Sequence, residues 1–544
     1  MKKNIYTLTI LFFLSSALSA QMFQWTNTGG GPDLDESYSA ALDTSGSVFI
    51  TGLFSTSAFI ANTSLVSTGG TDMFFSKYTP AGISNWVRTA SGYGNAGGHV
   101  LATDQPGNIY VAGEFEDTIF FGATQLISAG LSDIFLAKYD NTGIFLWAIR
   151  GGGTGLDAVS GIKTDASGNV FLTGHFENTF TLGIPNVVSA GGKDLYVAKL
   201  NTSGTVIWLT RAGGASDDES RAIVLNSSSI NIAGHFDGNA TFGSTNLTNN
   251  SGDKDVFVAQ LNSSGIFQWA VRAGGNGGTD DAYDATMDNA GNIYVAGYFH
   301  DTATFGAFTL FSHGNDDAFI AKYSSTGTVQ WVVQAGDTLG DRAYDISSNA
   351  AGTFVVTGSF EDTVSFGATS LISSGDKDIF VAEYNTSGIV QWAVRAGGAG
   401  FDRGYGIVND NSGNVYVTGI YEQSATFGSD LLTSAGLRDL FLSKISSLTA
   451  VPLINSEENT FQIYPNPVGN ELYVISYTPA PTHSGLYGVS VSFELYSVMG
   501  KKIISKTLTD KKSVIDLSEF ANGIYFYKIT FDNNRIRTGK IIKQ

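Results

Sequence analysis

Seven tryptophans, Trp25, Trp86, Trp147, Trp208, Trp269, Trp331 and Trp392, stand 61, 61, 61, 61, 62 and 61 residues apart, and the chain has no others. A fixed period of this length marks a repeat architecture, in which each unit buries its apolar surface against the next. One irregular core would impose no such spacing. The period therefore restricts the chain to a ring or a stack of like units.

Within the unit that begins at Trp269, four strand-like runs recur: Ala282–Met287, Asn292–Phe299, Asp317–Tyr323 and Thr328–Ala335 around the next tryptophan. Asp-x-x-Gly-Asn turns separate the first two runs at Asp104–Asn108, Asp165–Asn169, Asp288–Asn292 and Asp410–Asn414. Aspartate caps such a turn and glycine supplies its positive φ. The same spacing allows a calcium reading, but the alternate oxygen ligands and the distal Glu of a calcium loop are missing. Hairpin turns are expected, with no cofactor.

Two columns hold one residue type in all seven units. Gly52, Gly113, Gly174, Gly234, Gly297, Gly358 and Gly419 lie inside the second run. Glycine there is expected to let a neighbouring sheet approach closely. Asp72, Asp133, Asp194, Asp255, Asp317, Asp378 and Asp439 open the third run and are expected to cap the entry into it. Sevenfold repetition assigns both columns to structure.

The final unit lacks a following Trp strand, whereas Met22–Gly29 supplies a Trp strand with no unit before it. The expected fold is therefore all-β: a seven-bladed β-propeller over residues 21–446, closed by the N-terminal strand, which removes exposed edges. An open β-solenoid is the alternative, for which 61 residues per coil is long.

Residues 1–20 pair Lys2 and Lys3 with an apolar run and a small-residue end, which reads as a signal peptide cut near Ala20 and Gln21. No later apolar stretch is long enough to span a membrane as a helix. There is no cysteine, so packing and ring closure must stabilise the fold. The net charge is −19, and residues 21–460 hold 43 acidic against 18 basic side chains. Such a body repels nucleic acid and anionic membranes.

In an antiparallel meander the long connections share one rim, the expected functional face. Asp35, Asp157, Asp218, Asp341 and Asp402 stand ten residues after a tryptophan, with Asp280 or Asp281 equivalent and Ala96 breaking the series. Arg150, Arg211, Arg272 and Arg395 stand three after it and are expected to pair with these aspartates. The column after the repeated glycine varies: Leu53, Glu114, His175, His235, Tyr298, Ser359 and Ile420. Glu114, His175, His235 and Tyr298, with Asp157, Asp218, Asp341 and Asp402, are the candidate ligand-binding residues. His175 and His235 lack a third partner at metal-ligand spacing, so no metal is assigned. No Gly-x-Ser-x-Gly, His-Glu-x-x-His, Gly-Lys-Ser/Thr or cysteine-based pattern occurs, and no catalytic residue is assigned.

The W-x-x-x-x-G-G, D-x-x-G-N-x-Y-V-x-G and D-x-F-x-A-K pieces make residues 22–446 resemble the β-propeller repeat (SBBP-like) of secreted bacterial proteins. That resemblance implies a fold and no fixed activity. Residues 447–460 read as a linker. The tail, 461–544, carries FQIYPNPVGNEL, FELYSVMGK, NGIYF and KIIK, and its balance of 10 basic to 6 acidic residues opposes that of the body. Its alternating strands and turns suggest a small β-sandwich. It resembles the C-terminal sorting domain of proteins exported by the type IX secretion system of Bacteroidota. The resemblance implies engagement with that machinery, passage across the outer membrane, and release or attachment at the cell surface. A secreted or cell-surface binding or adhesion protein for a glycan or protein is expected. A polysaccharide hydrolase or lyase on the acidic rim, or a structural surface-layer component, is the alternative.

Overall fold

The computed structural model describes residues 21–249, 253–275, 277–349, 352–447, 461–465, 467–476, 491–497, 501–508, 512–530 and 536–543. The signal peptide and residues 448–460 of the linker lie outside them. Every regular element among the described residues is a β-strand. The chain divides into two compact units, one spanning Phe23–Ser446 and one carrying Ser447–Gln544.

The first unit is propeller-like. Each repeat is an antiparallel meander, as in Asp281–Met287, Ile293–Phe305, Phe308–Tyr323 and Val329–Ala335. The last repeat contributes Arg403–Asn409, Asn414–Tyr421 and Asp439–Ser447, and Gln21–Gly29 is the fourth strand of that sheet. The first strand of each repeat lies against the first strand of the next, and Arg403–Asn409 lies against Asp35–Leu42. Buried Phe, Tyr, Val and Ile side chains fill the space between successive sheets, in clusters that draw on two or more repeats each.

The long connection between second and third strands is not a loop. It is a β-hairpin, such as Thr118–Phe121 with Thr124–Ile127, that reaches back to the fourth strand of the preceding repeat. Five such pairings form, and Gly30 with Phe59 makes the corresponding bridge between the N-terminal strand and the first repeat. The hairpin thus covers much of the edge that each sheet would otherwise expose.

Six of the seven tryptophans lock one repeat to the next. Trp25, Trp86, Trp147, Trp208, Trp269 and Trp331 pack beneath Gly82, Gly143, Gly204, Gly265, Gly327 and Gly388, the turn glycines of the following repeat. A Cβ on any of these glycines would fall 2.7–3.2 Å from indole atoms, and their φ angles are +75° to +81°. The period seen in the sequence is the spacing of this interlock. Gly265→Ala is expected to cost about 2–4 kcal/mol, from the left-handed backbone and the clash with Trp208 together, read as a fall in the urea midpoint.

The glycine column serves a different purpose from the one expected. The first strand of every repeat carries a β-bulge, at Tyr38, His99, Ser160, Arg221, Tyr283, Tyr344 and Tyr405. A Cβ on Gly52, Gly113, Gly174, Gly234, Gly297, Gly358 or Gly419 would strike the backbone carbonyl just before that bulge, of Glu36, Gly97, Ala158, Glu219, Asp281, Arg342 or Arg403. The close approach comes from the adjacent strand of the same sheet, not from a neighbouring sheet.

The second unit holds two antiparallel sheets. One is Phe461–Tyr464, Glu471–Ser476 and Lys512–Asp516; the other is Val491–Ser497, Lys502–Leu508, Gly523–Thr530 and Ile536–Lys543. Val468, Leu472, Val474, Phe493, Leu495, Ile515, Ile529 and Ile541 share one core between them.

Candidate functional site at the inner strands

The bulges matter because an extra residue in a strand breaks the alternation of side chains and re-aims one of them. Here it turns one side chain per repeat toward its counterparts. His99 lies 5.3 Å from Tyr38, Tyr38 5.6 Å from Tyr405, Tyr405 5.5 Å from Tyr344, and Tyr344 5.0 Å from Tyr283, centroid to centroid. The Arg221 guanidinium continues the series over the Tyr283 ring at 5.8 Å. Six of the seven bulged residues thus form an arc of edge-on and tilted rings and charge, and Ser160 is the seventh. All seven belong to the strands that pack around one another, near the end where the long connections enter.

Ion pairs brace the arc. Glu114 faces His99 at 3.4 Å. Arg221 joins Glu219 (3.1 Å) and Asp281 (3.5 Å), and Lys193 joins Glu219 at 3.0 Å. Arg342 lies 4.2 Å over Tyr298 and forks onto Asp316, which also faces His300 at 3.1 Å. Arg438 bridges Glu36 (2.8 Å) and Glu422 (2.9 Å). Burial opposes ionisation of Glu219, yet the neighbouring His175, Arg221, His235 and Lys193 hold its carboxyl below the usual range. Burial pushes His175 down to about 4, so its ring is neutral at physiological pH.

The variable column after the glycine forms the layer beside the arc. Glu114 contacts it through His99, and Tyr298 through the Tyr283 ring at 5.7 Å. His175 and His235 face different carboxylates: His175 faces Glu219 at 3.4 Å and His235 faces Asp281 at 2.9 Å, each from the following repeat. Among the described residues, no group of three or more His, Asp or Glu side chains is placed to hold a metal.

Asp157, Asp218, Asp341 and Asp402 are not on an open rim. All four are buried at junctions between repeats. Their Oδ2 atoms accept the amides of Gly153 (2.7 Å), Gly214 (2.6 Å), Asp337 (2.9 Å) and Gly398 (2.7 Å). Oδ1 of Asp402 also accepts the Glu422 amide at 3.0 Å, as Asp280 does from His300. These carboxylates staple the incoming loop to the sheet. The expected arginine pairing is also different. Arg150 and Arg395 reach Asp133 (2.6 Å) and Asp378 (2.7 Å), and Arg211 and Arg272 reach Asp194 and Asp255. The register explains this: Arg150 sits opposite Phe135, so Asp133 is its diagonal neighbour within the same sheet.

Burial pushes Asp218, Asp280 and Asp341 up to about 8, and Asp35, Asp157 and Asp402 up to about 7. An unfolded chain releases these protons near pH 4. The folded chain therefore holds protons that the unfolded chain has lost, and their contribution to stability, full below about pH 4, drains away as pH rises through 7–8. Asp218→Asn, which keeps an acceptor for the Gly214 amide, is expected to flatten part of the decline in urea midpoint between about pH 5 and about pH 8. An unchanged slope would show that Asp218 is ionised throughout.

Further along the same inner strands, Asp345 lies beside Asp284. Burial and then that neighbour hold Asp345 well above the usual carboxylate range. It accepts the Ile407 amide at 2.6 Å.

Residues 462–544 match the family described as the secretion system C-terminal sorting domain. The chain is thus a protein secreted or attached to the outer cell surface through the type IX route, and its tail implies engagement with that machinery. No helix among the described residues is long and apolar enough to cross a membrane.

Two curated relatives match about three fifths of the chain. Regulatory protein FlaEY of Caulobacter vibrioides is 25% identical over 365 residues, covering 61% of this chain and 36% of that protein. An uncharacterized WD repeat-containing protein of Acanthamoeba polyphaga mimivirus is 21% identical over 407 residues, covering 60% and 29%. The chain spans only about a third of the length of these relatives. Among solved structures, the extracellular domain of a putative one component system from B. thetaiotaomicron is 12% identical, covering 93% of this chain and 79% of that one, with a TM-score of 0.23.

Proposed function

We propose that residues 21–446 form a closed seven-bladed β-propeller that binds a glycan in the collar of bulged residues at its axis. Closure is supported by the junction between last and first repeats. The Asp35 amide donates to the Arg438 carbonyl at 2.9 Å, as Asp157, Asp218, Asp280, Asp341 and Asp402 donate to the preceding repeat. The observation that carries the function is the arc of Tyr38, Tyr405, Tyr344 and Tyr283 with His99 and Arg221. A fold needing only packing would place apolar residues there. A concave site with aromatic faces and a few fixed polar groups suits a saccharide better than a broad protein surface.

Tyr405→Ala is expected to weaken binding by about tenfold or more on a glycan array, with the melting temperature little changed because the ring is only half-buried. Wild-type binding by that variant would sink the collar reading. The expected ligand excludes nucleic acid on charge. Repeating the array with added calcium and with chelator tests the remaining cation reading, which is dropped if neither binding nor melting moves.

A second reading, a polysaccharide hydrolase or lyase, is favoured by Asp345 alone. A carboxyl held protonated beside a second carboxyl is what a general acid needs. Product release that disappears in Asp345→Asn would replace the binding-only reading with this one.

A further inference from the structure

Arg403 stands apart from the other arginines of the collar. Arg221, Arg342 and Arg438 each meet at least one carboxylate there. Arg403 meets none within 4 Å among the described residues. Its guanidinium is instead boxed by rings: Phe401 at 4.2 Å, Tyr344 at 5.3 Å and Tyr405 at 6.0 Å. One terminal nitrogen donates to the Tyr405 hydroxyl at 3.2 Å, and Nε is buried without a partner. The Tyr344 hydroxyl, between Tyr283 and Tyr405, is also buried without a partner. Two donors on neighbouring repeats therefore lack acceptors in the same part of the collar. Buried donors are rarely left so in a folded protein, and an unpaired guanidinium is rarer still.

We infer that Arg403 and Tyr344 form an anion subsite, which takes the carboxylate or sulfate group of an acidic saccharide whose ring stacks on the collar tyrosines. This rests on the collar being the glycan site. A planar guanidinium offers two parallel donors that match a carboxylate or sulfate edge, and the flanking rings hold it flat for that contact. The Tyr344 hydroxyl supplies a further donor. The net charge of −19 works against long polyanions, so short acidic oligosaccharides are the expected ligands.

The test uses the chain from Gln21 to Gln544 against neutral, uronate-bearing and sulfated oligosaccharides. Wild-type protein is expected to bind one acidic class at least tenfold more tightly than its neutral analogue. Arg403→Gln should remove that preference by weakening acidic binding at least tenfold more than neutral binding; Arg403→Lys, which keeps charge but not the fork, should restore only part of it. The two acidic arms tell carboxylate from sulfate. Should Arg403→Gln fail to fold, Tyr344→Phe removes only a hydroxyl and should weaken acidic binding a few-fold. Neutral and acidic glycans bound equally, with both variants indifferent, would overturn the subsite and leave the collar standing. Binding of no glycan at all would overturn the collar reading itself.

Discussion

A chain that begins at Gly31 is expected to lose at least about 5 kcal/mol of stability relative to one that begins at Gln21, and to aggregate on size-exclusion chromatography. The missing segment is the fourth strand of the sheet that ends the propeller-like body. Its Trp25 packs beneath Gly82 and lies 6.1 Å from Tyr416, and Phe23 meets Phe427 edge-on at 5.8 Å. Trp25 is half-buried, and its loss alone costs up to about 3–5 kcal/mol. The hydroxyls of Thr26 and Thr28 reach Ser443 (3.0 Å) and Tyr421 (2.6 Å), and Gly30 pairs with Phe59 of the first repeat. One short segment therefore holds both the last repeat and the first. Without it the strand Asp439–Ser447 presents an unpaired edge next to Leu440, Phe441 and Leu442, which templates association. Supplying residues 21–30 as a separate peptide should restore the urea midpoint. A truncated chain whose stability falls by less than about 1 kcal/mol would show that the body does not depend on this strand.

The period, the strand positions and the N-terminal completion of the last sheet were legible because each follows from a local pattern repeated seven times. Trp, turn Gly and strand Asp recur wherever the same contact recurs. The aspartates at the junctions were also legible as a series, but not as buried groups: their staple to a loop amide depends on how the loop folds back, which side-chain spacing does not report. The long connections were not legible as hairpins for a related reason, since most of them are completed by a strand of the preceding repeat, as Ala396–Gly398 pairs with Ala425–Phe427. The collar escaped altogether. Alternation along a strand predicts which face a residue takes, and a bulge cancels that prediction from the bulged residue onward. One signal was present. The column thirteen or fourteen residues after the tryptophan reads Tyr, His, Ser, Arg, Tyr, Tyr, Tyr, varied yet polar or aromatic throughout.

The bulge itself is open to a test whose sign is informative. Gly234 has an ordinary extended backbone, so the chain-entropy argument alone predicts that Gly234→Ala stabilises by about 0.4–1 kcal/mol. Sterics predict the opposite. A Cβ there would collide with the Glu219 carbonyl and lie 2.9 Å from the Ser220 Cα, and backbone atoms cannot rotate away as a side chain could. The strand must shift or the bulge at Arg221 must collapse, and Gly234→Ala is expected to destabilise by about 2–4 kcal/mol. Because the displaced segment carries Glu219 and Arg221, glycan binding should weaken with it. Gly122→Ala is the control: its φ is +60° with nothing within 4 Å of the added carbon, so it carries only the left-handed penalty of about 1–2 kcal/mol. Urea midpoints that place Gly234→Ala at or above the native value would show that the glycine column is not there to clear the bulge. A loss larger than that of Gly122→Ala, accompanied by weaker binding, ties the one invariant column of the second strands to the variable one proposed to bind the glycan.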